Sequence, residues 1–196
     1  LRIGSQQPPD DSGIAGRPMP GSSPSSRPRS TRWAGAGSTM TRTAASSGMR
    51  LISAPRGLVR DAQEKLAPLL QAAYDAHPSA HGFIAGKSIV SNAHPHVGRH
   101  WVLNVDLADF FPTINFGRVR GLFMAQPFGL GAKAATVMAQ ICTYRNGLPQ
   151  GAPTSPVLSN FIAASLDRRL TRLAREQKCD YSRYADDITF SCNQAA

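Results

Sequence analysis

Cysteine, acidic residues and long apolar runs are all scarce in this 196-residue chain, and each shortage removes a class of explanation. Three cysteines, Cys142, Cys179 and Cys192, stand far apart with no C-x-x-C pair. Disulfide frameworks and cysteine-based zinc sites need thiols in closer patterns, so neither is expected, and a reducing, cytoplasmic compartment is the simpler reading. No apolar run approaches the ~18 residues of a membrane span, and the N-terminus lacks the core of a signal peptide. No membrane partner is expected. Acids number 12 against 22 lysines and arginines, a formal charge of +10 carried mostly by arginine. A polyanion is therefore the first partner to consider, nucleic acid ahead of membrane, although solvated basic faces are common.

Residues 1–48 are rich in Ser, Gly, Pro, Thr and Arg, as in "RPMPGSSPSSRPRSTRW". Such a segment buries too little apolar surface to offset its ordering entropy, and reads as a disordered basic arm or an inert extension. The chain opens on Leu1 rather than Met and stops soon after Cys192, so a fragment is expected.

Order is expected from Met49. "MRLISAP" alternates like a strand that Pro55 ends. "RGLVRDAQEKLAPLLQAAYDAH" sets Leu58, Leu66, Leu69, Leu70 and Ala73 at helical spacing, which predicts an amphipathic helix closed by Pro78. "HGFIAGKSIVSNAHPHVGRH" predicts loop with a short helix around Ser88–Ala93. A buried strand over Trp101–Val105 and a turn at Pro112 come next, then a helix from near Phe116 capped by Asn115 and another over about Ala132–Cys142. The turn-rich "RNGLPQGAPTSP" leads into a long helix with Pro156 near its first turn, where proline is tolerated. "CDYSRYADDITFSC" predicts a hairpin with Asp186 and Asp187 at its tip.

Three acids stand out: Asp106 at a strand end and the Asp186–Asp187 pair. Carboxylates gathered in one place need a counter-charge or they take up protons, and hard oxygen ligands suit Mg²⁺, which binds through one or two carboxylates plus substrate phosphates. On spacing alone the commoner alternative is a capping Asp106 and a solvated acidic turn, because short acidic motifs match often by accident. "LPQGAPTSPVLSN" shifts that balance: its glycine lets backbone approach a substrate, Gln150 can donate and accept hydrogen bonds, and it lies between the two acidic segments. His94, His96 and His100 have a spacing compatible with zinc but no close acid or cysteine, so holding the loop or touching nucleic acid is the preferred role. Lys87 and Arg99 are phosphate-contact candidates, while Phe83, Phe110 and the leucines of the long helix read as core.

"NVDLADFFPTIN", "LPQGAPTSPVLSN" and "RYADDITFS", in that order, resemble the palm motifs of reverse transcriptases, and Asn92-Ala93-x-x-His96 resembles an element of the retron branch. The resemblance covers about residues 49–193. It implies an α+β fold: a right-hand polymerase palm over residues 101–196, an antiparallel sheet with helices on one face, and partial fingers and early palm over 49–100. The thumb, with its Val-Thr-Gly element, lies outside the chain. It further implies an RNA-directed DNA polymerase whose Asp106, Asp186 and Asp187, with the Leu107 carbonyl, hold two Mg²⁺ ions, Mn²⁺ being a substitute. Phe111 resembles the aromatic gate against a 2′-hydroxyl, Gln150 the contact to the incoming dNTP, and Arg50 the finger arginine on its triphosphate. Tyr184, Asn92 and His96 resemble primer or RNA contacts. The implied partners are a structured cognate RNA serving as template and primer, its DNA product, and a separate effector protein in phage defence. Two alternatives accompany this reading: a truncated RNA-binding remnant, and a group II intron maturase, against which the Asn92–His96 element argues.

Overall fold

The computed structural model describes residues 52–193, preceded by two short antiparallel ladders, β1 (Arg32–Trp33) with β2 (Ala36–Gly37) and β3 (Ala44–Ala45) with β4 (Gly48–Met49). Apart from these ladders the basic arm lies outside the described residues, and so does Arg50. The expected strand after Met49 is not formed by Ile52–Pro55. That stretch meets the rest of the chain where the Gly151 N–H donates to the Ser53 carbonyl at 3.0 Å. One such bond makes no ladder.

Helix α1 (Leu58–Ala73) stops at Ala73 rather than His77. Tyr74 turns extended and its ring packs edge-on against Phe161, centroids 4.9 Å apart, which takes the chain off the helical path. On α1, fully buried Gln63 donates to the Ile141 carbonyl at 2.6 Å and ties the helix to α5 (Ala132–Cys142). The short α2 (Ile89–Ala93) is closed by a reciprocal capping box between Ser88 and Ser91 and runs into a single 3₁₀ turn, His94–His96. After β5 (Trp101–Asp106) come α3 (Phe110–Thr113), a helical turn where sequence predicts a plain turn, and α4 (Phe116–Met124). The Asn115 Oδ1 accepts from the Arg118 N–H at 3.0 Å, the expected cap. The long α6 (Ser155–Glu176) carries Pro156 in its first turn. The hairpin of β6 (Asp180–Tyr184) and β7 (Asp187–Cys192) closes the sheet.

Strand order is β5–β7–β6, all antiparallel, and Ala80 adds a parallel bridge to Arg183 on the far side of β6. Alternation divides the sheet into two unlike faces. Val105, Ile188, Phe190 and Tyr181 fall on one and pack with Leu166, Leu170 and Ala174 of α6. Asp106, Asn104, Asp187, Thr189, Ser191, Ser182 and Tyr184 fall on the other. The same α6 gives Val157, Leu158 and Ala163 to a second cluster with Phe110, Ile114, Val119, Phe123, Ala135 and Leu148. Each large side chain fully buried in these clusters contributes roughly 1.5–3 kcal/mol, so α6 is the beam on which sheet and helices are mounted. Sequence predicts β5 as buried; instead, among the described residues, it pairs with β7 alone, and Trp101 and Leu103 are 60% and 59% exposed.

Candidate active site

The polar sheet face and the loop after α5 meet at one end of β5. Asp106 and Asp187 are direct partners in the ladder, the last pair before the hairpin turn. The Leu107 N–H donates to the Asp186 carbonyl at 3.1 Å, so the chain leaving β5 is tied to the turn itself. A cavity of about 260 Å³ opens here, lined by Asp106, Leu107, Phe111, Gln150 and Asp186 together with Asp109. Five residues named from sequence thus share one space. Asp109, which sequence reasoning missed, stands in a left-handed conformation at φ 50° just before α3.

The acids act on one another. The Asp187 carboxyl is raised above the usual carboxylate range, first by lost hydration and then by the charges of Asp186 and Asp106. Among the described residues no three His, Cys, Asp or Glu side chains converge tightly enough to enclose a metal ion. The donor set nevertheless fits a hard divalent cation, because mutually repelling carboxylates at a cavity wall are what such a charge relieves.

Gln150 is presented by a loop that is otherwise anchored. Its neighbours Leu148 and Pro149 are buried, the Ser155 hydroxyl donates to the Pro149 carbonyl at 2.6 Å, and the Leu148 N–H donates to the Phe111 carbonyl at 3.2 Å. Phe111 contacts Phe110 edge-on at 5.4 Å and Phe83 at 6.1 Å between centroids. Phe110 is core, as expected, but Phe83 is 39% exposed at φ 60° and belongs to the rim of the site rather than the interior. Nothing local in "HGFIAG" signals this; the contact arises only when the loop packs against the start of α3.

Asn92 and His96 lie farther down the same sheet face, with Tyr184 beside Asp187. Both His96 ring nitrogens are engaged, Nδ1 with the Ser191 hydroxyl at 2.7 Å and Nε2 with the Ser182 hydroxyl at 2.8 Å. His96 therefore staples the 3₁₀ turn across β6 and β7. Asn92 is buried with its Oδ1 unpartnered, and its carbonyl accepts from Ser182 at 3.3 Å. The two phosphate-contact candidates are otherwise occupied: the Lys87 ammonium donates to the carbonyls of Pro78 and Ala80, both at 2.7 Å, and Arg99 pairs with Asp180. Cys142 is buried, its thiol pushed up to about 12, which makes it an inert core residue.

Burial holds His96, His81 and His77 below the usual imidazole range near 6.5. A folded-state value below the unfolded one means that the unfolded chain binds more protons as pH falls through about 6.5. The stability is fully present above that value and lost below it. Thermal unfolding is expected to show a lower midpoint at about pH 5.5 than at about pH 7.5, with a shallower slope in His96→Gln.

The family model for "Reverse transcriptase (RNA-dependent DNA polymerase)" matches residues 42–196. Retron Mx65 reverse transcriptase of Myxococcus xanthus is 43% identical over 164 residues, covering 74% of this chain and 38% of that protein. Retron Ec86 reverse transcriptase of Escherichia coli is 44% identical over 114 residues, 58% of this chain and 35% of the relative. Retron Mx162 reverse transcriptase of Myxococcus xanthus is 37% identical over 164 residues, 74% and 33% of the two chains. The chain thus spans roughly a third of the length of these curated relatives. No helix among the described residues is long and apolar enough to cross a membrane. A three-stranded α+β palm with its acids paired at the hairpin, and a family match over most of the sequence, agree on one conclusion: the chain belongs to the reverse transcriptase family.

Proposed function

We propose that this chain supplies the catalytic palm, over residues 101–196, and part of the fingers, over 49–100, of an RNA-directed DNA polymerase of retron type. The observation that carries the reading is the pairing of Asp106 with Asp187 beside a cavity that also holds Asp186, Phe111 and Gln150. Two Mg²⁺ ions, or Mn²⁺ in their place, held by Asp106, Asp186, Asp187 and the Leu107 carbonyl, would supply charge neutralisation of the triphosphate and of the primer 3′-hydroxyl. The chain's own residues do the positioning. Gln150 offers both donor and acceptor to an incoming dNTP from an anchored loop, Arg50 serves its triphosphate, and Tyr184 and Asn92 serve the primer or RNA strand, with His96 bracing the turn beside them. The retron resemblance extends the proposal to a cytoplasmic setting, a structured cognate RNA as template and primer, and a separate effector in phage defence.

Template-dependent incorporation of dNTPs on a structured RNA tests this. The expected result is DNA synthesis that chelation of divalent ions stops and that Asp186→Ala and Asp187→Ala remove. Synthesis that survives both substitutions would sink the assignment. Salt-sensitive RNA binding without any incorporation would favour the RNA-binding remnant instead.

Phe111 is wedged between Phe83 and Phe110 and discriminates by shape. Phe111→Val is expected to raise ribonucleotide use relative to deoxyribonucleotide use by roughly 10–200-fold, the range for one altered steric contact. Single-nucleotide incorporation with matched dNTP and rNTP measures the ratio.

A further inference from the structure

Behind the acidic hairpin lies a charge pair that the reaction itself does not use. Arg183 and Asp167 are both fully buried, with side chains 0% exposed. Their contact is bidentate: Arg183 Nε and one terminal nitrogen reach the two Asp167 carboxylate oxygens at 2.7 and 2.8 Å. The other terminal nitrogen donates to the Ala185 carbonyl at 2.8 Å, and the first also reaches Asn160 Oδ1 at 3.2 Å. Asp167 Oδ1 accepts the Tyr181 hydroxyl at 2.7 Å, and the Asn160 amide donates to the Gly82 carbonyl at 2.9 Å. Ala185 precedes Asp186 and stands at φ 57°, a left-handed conformation that a non-glycine residue adopts only when its surroundings hold it there.

Arg183 projects from β6 on the α6 side, opposite the face that carries Asp106 and Asp187. A buried ion pair is a poor source of stability, since well-packed apolar replacements of both partners are often neutral or better. Its geometry does something an apolar pair cannot: it fixes a carbonyl of the turn. We propose that Arg183, set by Asp167, is a positioning residue that holds the Ala185 carbonyl and thereby fixes the placement of Asp186 and Asp187 against Asp106. This rests on the reading of those acids as metal-holding carboxylates.

The test uses the purified full chain with Arg183→Met combined with Asp167→Leu, and separately Arg183→Lys, which keeps the charge opposite Asp167 but gives up the fork that reaches Ala185. Mn²⁺ binding is followed directly by electron paramagnetic resonance, beside kcat and KM for dNTP incorporation and hydrogen exchange of the hairpin amides. The expected result in both variants is weaker Mn²⁺ binding, faster exchange at the turn, and a kcat lower by about tenfold to a hundredfold with little change in KM, as for a reacting group displaced by about an ångström. Arg183→Lys answers the question if the double variant does not fold. A folded variant with parental Mn²⁺ binding and kcat overturns the inference alone, provided Asp187→Asn abolishes that binding. Mn²⁺ binding untouched by Asp187→Asn overturns the metal-site reading and the inference with it.

Discussion

Asp187→Asn is expected to reduce dNTP incorporation by at least about a thousandfold while leaving the protein as stable as before, or more stable, in the absence of divalent ions. Opposed signs are the useful part. Asp187 faces Asp106 across the ladder and follows Asp186, and both charges raise its carboxyl along with lost hydration. A folded-state value above the unfolded one means that Asp187 opposes folding once pH exceeds its unfolded range, so a neutral amide of the same shape removes a penalty. On the proposed metal-holding role catalysis is expected to run the other way, because a carboxamide cannot supply the negative charge that would hold a cation against a triphosphate. Thermal unfolding with and without Mg²⁺ separates the two effects: the ion should raise the midpoint of the parent and not of the variant, since a ligand stabilises only the state that binds it. A variant that unfolds earlier than the parent without Mg²⁺ would show that Asp187 is a structural acid.

Gly82→Ala should be the most damaging glycine-to-alanine change among the described glycines, because Gly82 makes the closest approach of them all to neighbouring backbone. A Cβ there would collide with the Ala185 backbone nitrogen and stand 3.1 Å from the Tyr184 carbonyl carbon. Both obstacles are backbone, in the turn that carries the acids, so no rotamer change relieves them. The Gly82 carbonyl is also held by Asn160. Overpacking commonly costs about 1–3 kcal/mol, and a clash with backbone, which no side-chain rotation relieves, falls at the upper end or beyond it. Activity should fall with stability, because the turn must shift to admit the methyl group. Gly121→Ala is the matched control. Gly121 lies exposed in α4 with open space about it, and alanine there is expected to stabilise by roughly 0.5–1 kcal/mol through helix propensity. Chemical denaturation of both variants checks the pair; equal effects would mean that the close approach of residue 82 to the hairpin is not as described.

Local features were legible because their causes are local. Asn115 reads as a cap from its place before an apolar periodic run, and it caps; Pro156 sits where a first turn tolerates it. The stretch from Ala132 to Cys142 is helical over the span that its pattern suggests. Errors fall where a distant contact decides. Tyr74 ends α1 early because Phe161 meets its ring, and Phe83 leaves the core because its loop sits against Phe111. Lys87 and Arg99 look like phosphate ligands in the sequence but are consumed by the carbonyls of Pro78 and Ala80 and by Asp180.

The acids, the glutamine loop, the aromatic after Asp106 and the order in which they follow one another are written in the chain, since each is a residue type in a segment of recognisable periodicity. Which acid faces which is not. Register between β5 and β7 joins residues some eighty positions apart, and it is set by the apolar face that α6 covers, where a slip of β5 by one residue would turn Val105 away from α6 and Asp106 inward. The His96 staple, the glycine against the turn and the Arg183–Asp167 pair behind it have the same origin. They exist only once packing brings separate segments together, because hydrogen bonds and steric contacts depend on distance in space and not on distance along the chain.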